Sequence, residues 1–273
     1  MRRKPFDRIF LLLLWSAAGL TFGTVIFLVG YILINGLPHI QPSLFAFRYN
    51  TENVSLFPAL ADTVVIVASS LLIAAPVGVF TAIYLVEYAS HTNRLVGLVR
   101  VMAETLAAIP SIVYGLFGFL FFVGYLGWGF SLLAGSFTLA IMILPLIMRT
   151  TEESLKSVPD AYREGAFGLG AGQLRTVFRI VLPAAAPGIL AGVILATGRI
   201  VGETAALIYT AGTVAQIPEN LLGSGRTLAI HMYALSTEGL YTGQAYATAV
   251  VLLALVFSVN ALSAALAKKI ARR

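Results

Sequence analysis

Six long apolar runs, separated by polar segments, dominate the chain. They cover about Ile9–Ile34, Asp62–Val86, Thr105–Leu126, Leu132–Met148, Ala184–Tyr209 and Ala245–Ala267. A helix needs about 20 apolar residues to cross the hydrocarbon core of a bilayer. The pattern therefore predicts an all-α polytopic membrane protein with six transmembrane helices. The first run follows the basic Met1-Arg2-Arg3-Lys4 but is longer than the roughly 7–15 apolar residues of a signal peptide, so it reads as an uncleaved first helix. Pro76 and Gly78 predict a kink in the second span. Leu95–Ile109, ahead of Pro110, reads as a short interfacial helix leading into the third. Gly188/Gly192 and Gly198/Gly202 offer small-residue pairs for close helix contact in the fifth. The two long outer loops, Asn35–Ala61 and roughly Thr210–Gln244, carry no helix or strand signal of their own. By segments, residues 1–60 form a first helix plus outer loop, and 61–268 form the core.

The longest interruption of the apolar pattern is the polar stretch Thr150–Pro183. Ser157 with Asp160 three residues on, and Pro159 between them, is a helix start with an acidic group in its first turn. A short helix over Ala161–Phe167 then ends in the turn Gly168-Leu169-Gly170. Leu174, Val177, Phe178 and Val181 recur at helical spacing, which predicts a second helical segment over Gln173–Val181, with Pro183 and Pro187 opening the next span. The product is a helix-turn-helix standing out of the membrane, its short first helix a knob for a partner.

Composition agrees with the apolar pattern: 59% of residues are hydrophobic and only 11% charged, against about 25% charged in a soluble domain. There is no cysteine, which excludes disulfides, thiolate metal sites and cysteine nucleophiles. The net charge of +6 is mostly topological. With the N-terminus in the cytoplasm, 15 of the 18 Lys and Arg residues fall on cytoplasmic segments, Arg48 and Arg226 fall outside, and Arg199 lies within a span. Such a bias orients the chain with both termini and the 150–183 stretch in the cytoplasm. No basic patch or motif supports nucleic-acid binding.

Arg199 and Glu203 sit inside the fifth apolar run. An arginine at a helix centre costs roughly 2.5–3.5 kcal/mol on insertion scales, so neither residue is expected to face lipid. At i,i+4 on one helix they share a face and can pair. Two readings stand: an interhelical ion pair that fixes packing, or an Arg199 whose planar guanidinium meets an anion crossing the membrane while Glu203 holds it in place. Glu104, one turn after Arg100, is either an interfacial partner of that arginine or a residue lining or gating the path.

The loop order Glu164-Gly165-Ala166, Gly170, Ile180, Leu182-Pro183 has the spacing E-A-A-x3-G-x9-I-x-L-P, with Gly165 in place of the usual Ala. It resembles the cytoplasmic coupling loop of ABC-importer permeases, and the likeness extends over Ala61–Ala267. Within that class, Gly198-Arg199-Ile200-Val201-Gly202-Glu203-Thr204-Ala205-Ala206 resembles a segment of phosphate ABC-transporter permeases. Glu104-Thr105-Leu106-Ala107-Ala108-Ile109-Pro110 and Arg226-Thr227-Leu228 through Leu235 are similar to further segments, closer to the PstA-type than to the PstC-type subunit. The resemblance implies a type I permease fold in a prokaryotic plasma membrane, with the Tyr162–Gly170 region docking on an ATPase. It also implies a PstC-type permease, two PstB-type ATPases holding ATP and Mg, and a PstS-type binding protein.

No G-x4-G-K-[ST] loop is present, so no nucleotide is expected on this chain in the usual P-loop manner, and no cofactor of its own. His39, His91 and His231 lie far apart in sequence and make no metal case. Two alternatives stay open: a permease for sulfate, molybdate or phosphonate, and a stand-alone channel or secondary transporter, which would often show internal repeats.

Overall fold

The structure, a computed structural model, describes residues 5–89 and 94–271. Arg2, Arg3, Lys4, His91, Arg272 and Arg273 lie outside the described residues, as do the side chains of Arg8, Lys268 and Lys269. Among the described residues the chain is helical with no strand. The first helix, α1, is Pro5–Gly36; α2 is Phe57–Ile83, extended by a wide π-type turn through Tyr88. Next come α3 (Arg94–Ala108), α4 (Ser111–Gly118, continued to Tyr125) and α5 (Leu132–Lys156). The knob helix α6 is Asp160–Gly168. Then α7 (Gln173–Thr176) and α8 (Leu182–Val201) join through a wide turn into one helix of 29 residues. The short α9 (Ala205–Ile208), α10 (Leu228–Glu238) and α11 (Thr242–Ala271) complete the fold.

Five of these helices are long and apolar enough to cross a membrane, and α3 with α4 supplies a sixth crossing only as a pair bent by 101°. The third expected span therefore starts later than Thr105. Pro110 has no N–H to donate and pushes Ile109 out of helical geometry, so Thr105–Ala108 belong to α3 and the crossing begins at Ser111. The expected break before the fifth span is absent. Pro183 and Pro187 lie within an unbroken helix, and the wide turn at Val177–Val181 directly precedes them.

At the centre α2 packs along α5, α5 along α8 and α8 along α11. Their shared core holds Ile66, Leu139, Ile143, Ile147, Ala196 and Ile200, all sealed from solvent. The α5–α8 seam is close because Gly188 and Gly192 stand opposite Ser154 and Thr150. A Cβ at Gly192 would come within 2.0 Å of the Thr150 hydroxyl oxygen. The second expected pair packs differently: a Cβ at Gly198 would meet nothing within 4 Å. The apolar face of α1 is exposed, and this helix joins the bundle through α11.

The second outer loop holds a helix that the pattern reading missed. Its caps were legible: the Thr227 hydroxyl accepts from the Ile230 N–H, and Gly239 ends α10 at φ 72°, the left-handed geometry glycine favours.

Candidate functional site

The knob has two kinds of surface. On α6, Ala166 is buried, while Glu164 and Gly165 face outward. A Cβ at Gly165 would touch nothing within 4 Å, so the glycine in place of the usual alanine alters no contact within the chain. Gly170 turns the chain at φ 82°, a conformation costly for any residue with a Cβ. The Ala171 N–H then closes the turn on the Ala166 carbonyl at 3.0 Å. The second half of the motif anchors the knob. Leu182 packs against the cluster of Leu155, Val158, Val177 and Val181, with Ile180 half-buried and Pro183 exposed. Leu169 at the tip is 91% exposed, flanked by the exposed rings of Tyr162 and Phe167. A groove of about 400 Å³ runs beside it, lined by Leu169, Arg175, Arg179 and Ile180.

One arginine fastens this knob to the bundle. Arg163 donates from Nη2 to Glu87 Oε1 at 2.7 Å and from Nε to both carboxylate oxygens at 3.3 Å. It also donates to the carbonyls of Leu155 and Val158, both at 2.9 Å, and to Asp160 Oδ1 at 3.1 Å. The Gln173 side chain donates to the Glu87 carbonyl. Hydrogen bonding from Arg163 to Glu87 raises the guanidinium pKa above its ordinary value. These bonds tie together the knob-side ends of α2, α5 and α6. Sequence reasoning missed both residues of the pair, which are 76 positions apart; no local pattern links them.

Beside this joint, Arg100 on α3 donates Nε to Glu152 Oε1 at 3.0 Å, and Lys156 approaches the same oxygen at 3.7 Å. Arg100 therefore pairs across to α5 rather than with Glu104 on its own helix. Glu104 is exposed, makes no ion pair among the described residues, and lines a cleft of about 220 Å³ with Arg100, Pro145, Arg149, Glu152 and Lys156.

Deeper in the membrane, the shared face expected for Arg199 and Glu203 does not form. Helix α8 ends at Val201, so Glu203 falls outside the helical repeat. Its carboxylate accepts instead from the Ala206 N–H at 3.1 Å, capping α9. No ion pair within 4.0 Å joins Arg199 and Glu203. The Arg199 guanidinium is exposed on the last turn of α8, within electrostatic range of the Tyr114 phenol on α4. The structure thus keeps Glu104 at the cleft beside the knob and places Arg199 and Glu203 at a helix break beside α4. An unpaired guanidinium on an outer face at membrane depth needs protein or water over it, since lipid does not solvate it. Among the described residues no group of His, Asp and Glu has metal-ligand geometry.

Comparison with known proteins agrees with this architecture. Residues 74–272 match the profile of the family described as "Binding-protein-dependent transport system inner membrane component". The chain is 33% identical over 260 residues to a probable ABC transporter permease protein, YqgI, of Bacillus subtilis, covering 88% of this chain and 86% of that protein. It is 36% identical over 213 residues to the phosphate transport system permease protein PstA of Mycobacterium leprae, covering 77% and 69%. Its fold superposes with TM-score 0.63 on a bacterial alginate ABC transporter crystallised with its alginate-bound periplasmic protein, at 15% identity over 94% of this chain and 95% of that one. The helical architecture and the matched length lead to one conclusion: this chain belongs to the inner-membrane permease family of binding-protein-dependent transport systems.

Proposed function

We propose that this chain is one permease subunit of an ATP-driven phosphate importer, and that Arg199 is the residue that meets the anion. The single observation carrying the site is the exposed Arg199 guanidinium at membrane depth, unpaired among the described residues. Support for phosphate as substrate comes from relatives named as phosphate permeases. A dianionic oxyanion matches a planar, multi-donor cation. Glu203 at the helix break limits how tightly the anion is held, and Glu104 lines the cytoplasmic exit cleft.

The chain itself breaks no bond. Its partners are a PstC-type permease that covers the α4–α8 face, two PstB-type ATPases that bind ATP with Mg, and a PstS-type binding protein on the outside, with both termini in the cytoplasm. The ATPase grips the knob around Tyr162, Phe167 and Leu169, and its closure on ATP moves α6 with the bundle ends to which Arg163 ties it, exchanging outward- and inward-facing states.

The test is uptake by vesicles holding the assembled transporter. Arg199→Gln assembles and loses phosphate uptake; Arg199→Lys loses most of it if planar donor geometry matters. Unchanged uptake by Arg199→Gln sinks the anion-path role. Uptake of sulfate or molybdate instead of phosphate by the wild type sinks the substrate. Retention of a coupled ATPase by Gly170→Asp sinks the knob as the docking element.

A further inference from the structure

The helix that leads from the knob into the membrane has an outward face that nothing in the chain covers. Over its first turns Thr176, Val177 and Val181 are buried against the bundle. Leu174, Arg175, Phe178 and Arg179 are exposed. Spacings of four residues put the two arginines in one stripe and the two apolar side chains in the next. A basic stripe beside Leu and Phe is the make-up of helices that lie at a bilayer surface. Arg175 and Arg179 also wall the groove beside Leu169, whose other lining residues are Ala166, Ala171 and Ile180. No carboxylate lines it.

That lack sets these arginines apart. Arg100, Arg149, Lys156 and Arg163, toward the same end of the bundle, each meet a carboxylate within 4.0 Å. Neither Arg175 nor Arg179 does so among the described residues. Like charges at i,i+4 repel, so an anion seated between them is attracted by both and relieves that repulsion. Depth identifies the anion. Arg179 precedes the apolar run that opens at Ala184 by five residues, about 7.5 Å of helix. The headgroup layer reaches roughly 5–7 Å beyond the hydrocarbon on each side. Long arginine side chains reach back across such a distance, which brings Arg179 to the level of lipid phosphates with Arg175 one turn behind it.

We infer that the groove between the knob and α8 holds the headgroup of an anionic phospholipid, with Arg175 and Arg179 on its phosphate and Phe178 against its glycerol and upper acyl carbons. Forked guanidinium donors match phosphate oxygens, and the small Ala166 and Ala171 leave the groove open for them. The lipid gives the knob a tether to the bilayer in addition to the Glu87–Arg163 pair. Neither the cargo nor its path enters this inference.

Native mass spectrometry of the purified full chain in detergent tests it, with dioleoylphosphatidylglycerol as the probe. The wild type retains this lipid more tightly than dioleoylphosphatidylcholine, which carries the same phosphate neutralised by choline. Arg175→Gln combined with Arg179→Gln weakens retention about thirtyfold, the equivalent of about 1 kcal/mol for each arginine near an anionic surface. Arg48→Gln, a charge removed beyond the opposite end of α2, leaves retention unchanged. Glycerol phosphate, a headgroup without chains, does not displace the lipid. Equal retention by the double variant and the wild type, or an equal loss in Arg48→Gln, overturns the inference. Displacement by glycerol phosphate overturns it in favour of a free anion. Unchanged lipid retention with loss of a co-purifying ATPase overturns it in favour of a protein partner on this face. Should the double variant fail to fold, Arg179→Gln decides alone.

Discussion

Arg163 and Arg226 are both largely buried, both stand at an end of α2, and are solvated in opposite ways. Arg163 spends its donors on a carboxylate, two carbonyls and a second acid. Arg226 keeps two donors idle over an aromatic ring. The difference shows in their proton affinity: bonding to Glu87 raises the pKa of the first, and burial lowers that of the second. A fully bonded buried charge makes a rigid weld, whereas a half-bonded one makes a weaker joint.

The comparison breaks most severely at the inner joint. Arg163→Ala strands Glu87 in a nearly closed site and costs about 3 kcal/mol, the lower end for splitting a buried pair. Thermal unfolding of the purified protein reads the loss, and in the proposed assembly the ATPase dissociates more readily. An unchanged midpoint would mean that water, not Arg163, satisfies Glu87.

Acid probes the outer joint. His231 is 1% exposed, and burial with the neighbouring Arg226 pushes its pKa down to about 3. The folded protein keeps it neutral while the unfolded chain takes a proton below the ordinary value of about 6.5. Its contribution is therefore whole above that pH and is lost as pH falls, by about 2 kcal/mol near pH 5. His231→Phe flattens this acid slope in unfolding experiments; an equal slope in both proteins would put the titrating group elsewhere.

Gly170→Ala forces a Cβ into left-handed geometry at the knob and costs about 1 kcal/mol, without touching Arg163, and in the proposed assembly it weakens ATPase binding. The smallest effect belongs to an exposed pair near the cleft lined by Glu104. Arg149 Nε meets Glu153 at 3.2 Å with both side chains about two-thirds exposed, so after solvent screening Glu153→Gln shifts stability by less than about 0.5 kcal/mol. A larger shift there would show that surface charge, not burial, orders these effects.

The knob was legible in sequence because its information is local: a helix start at Asp160, a turn at Gly170 and apolar spacing through Val181 all lie within one polar stretch. The apolar runs marked the crossings for the same reason. What stayed hidden depends on contact between distant positions or on a single terminator. Glu87 carries no mark of Arg163. The i,i+4 spacing of Arg199 and Glu203 promised a shared face, but α8 ends at Val201, two residues short of Glu203. The joint of Asp62 with Arg226 spans 164 positions and is written in no local pattern. Helix α10 is a different case, since Thr227 and Gly239 announced it at both ends.

The unbroken helix from Gln173 to Val201 runs for about 43 Å at 1.5 Å per residue. It starts beside the knob and carries Arg199 on its final turn. No loop lies between them to absorb motion, so axial rotation at the base arrives at the guanidinium as angular displacement. About 100° of twist, the angle between neighbouring residues, would bring the adjoining side chain to the heading Arg199 had held. The proposed anion path would then exchange a cation for the methyl groups of Ile200 or the bare backbone of Gly198, depending on the sense of rotation. Attraction for an anion would thus be something the transporter turns on and off by torque, with no residue leaving its helix.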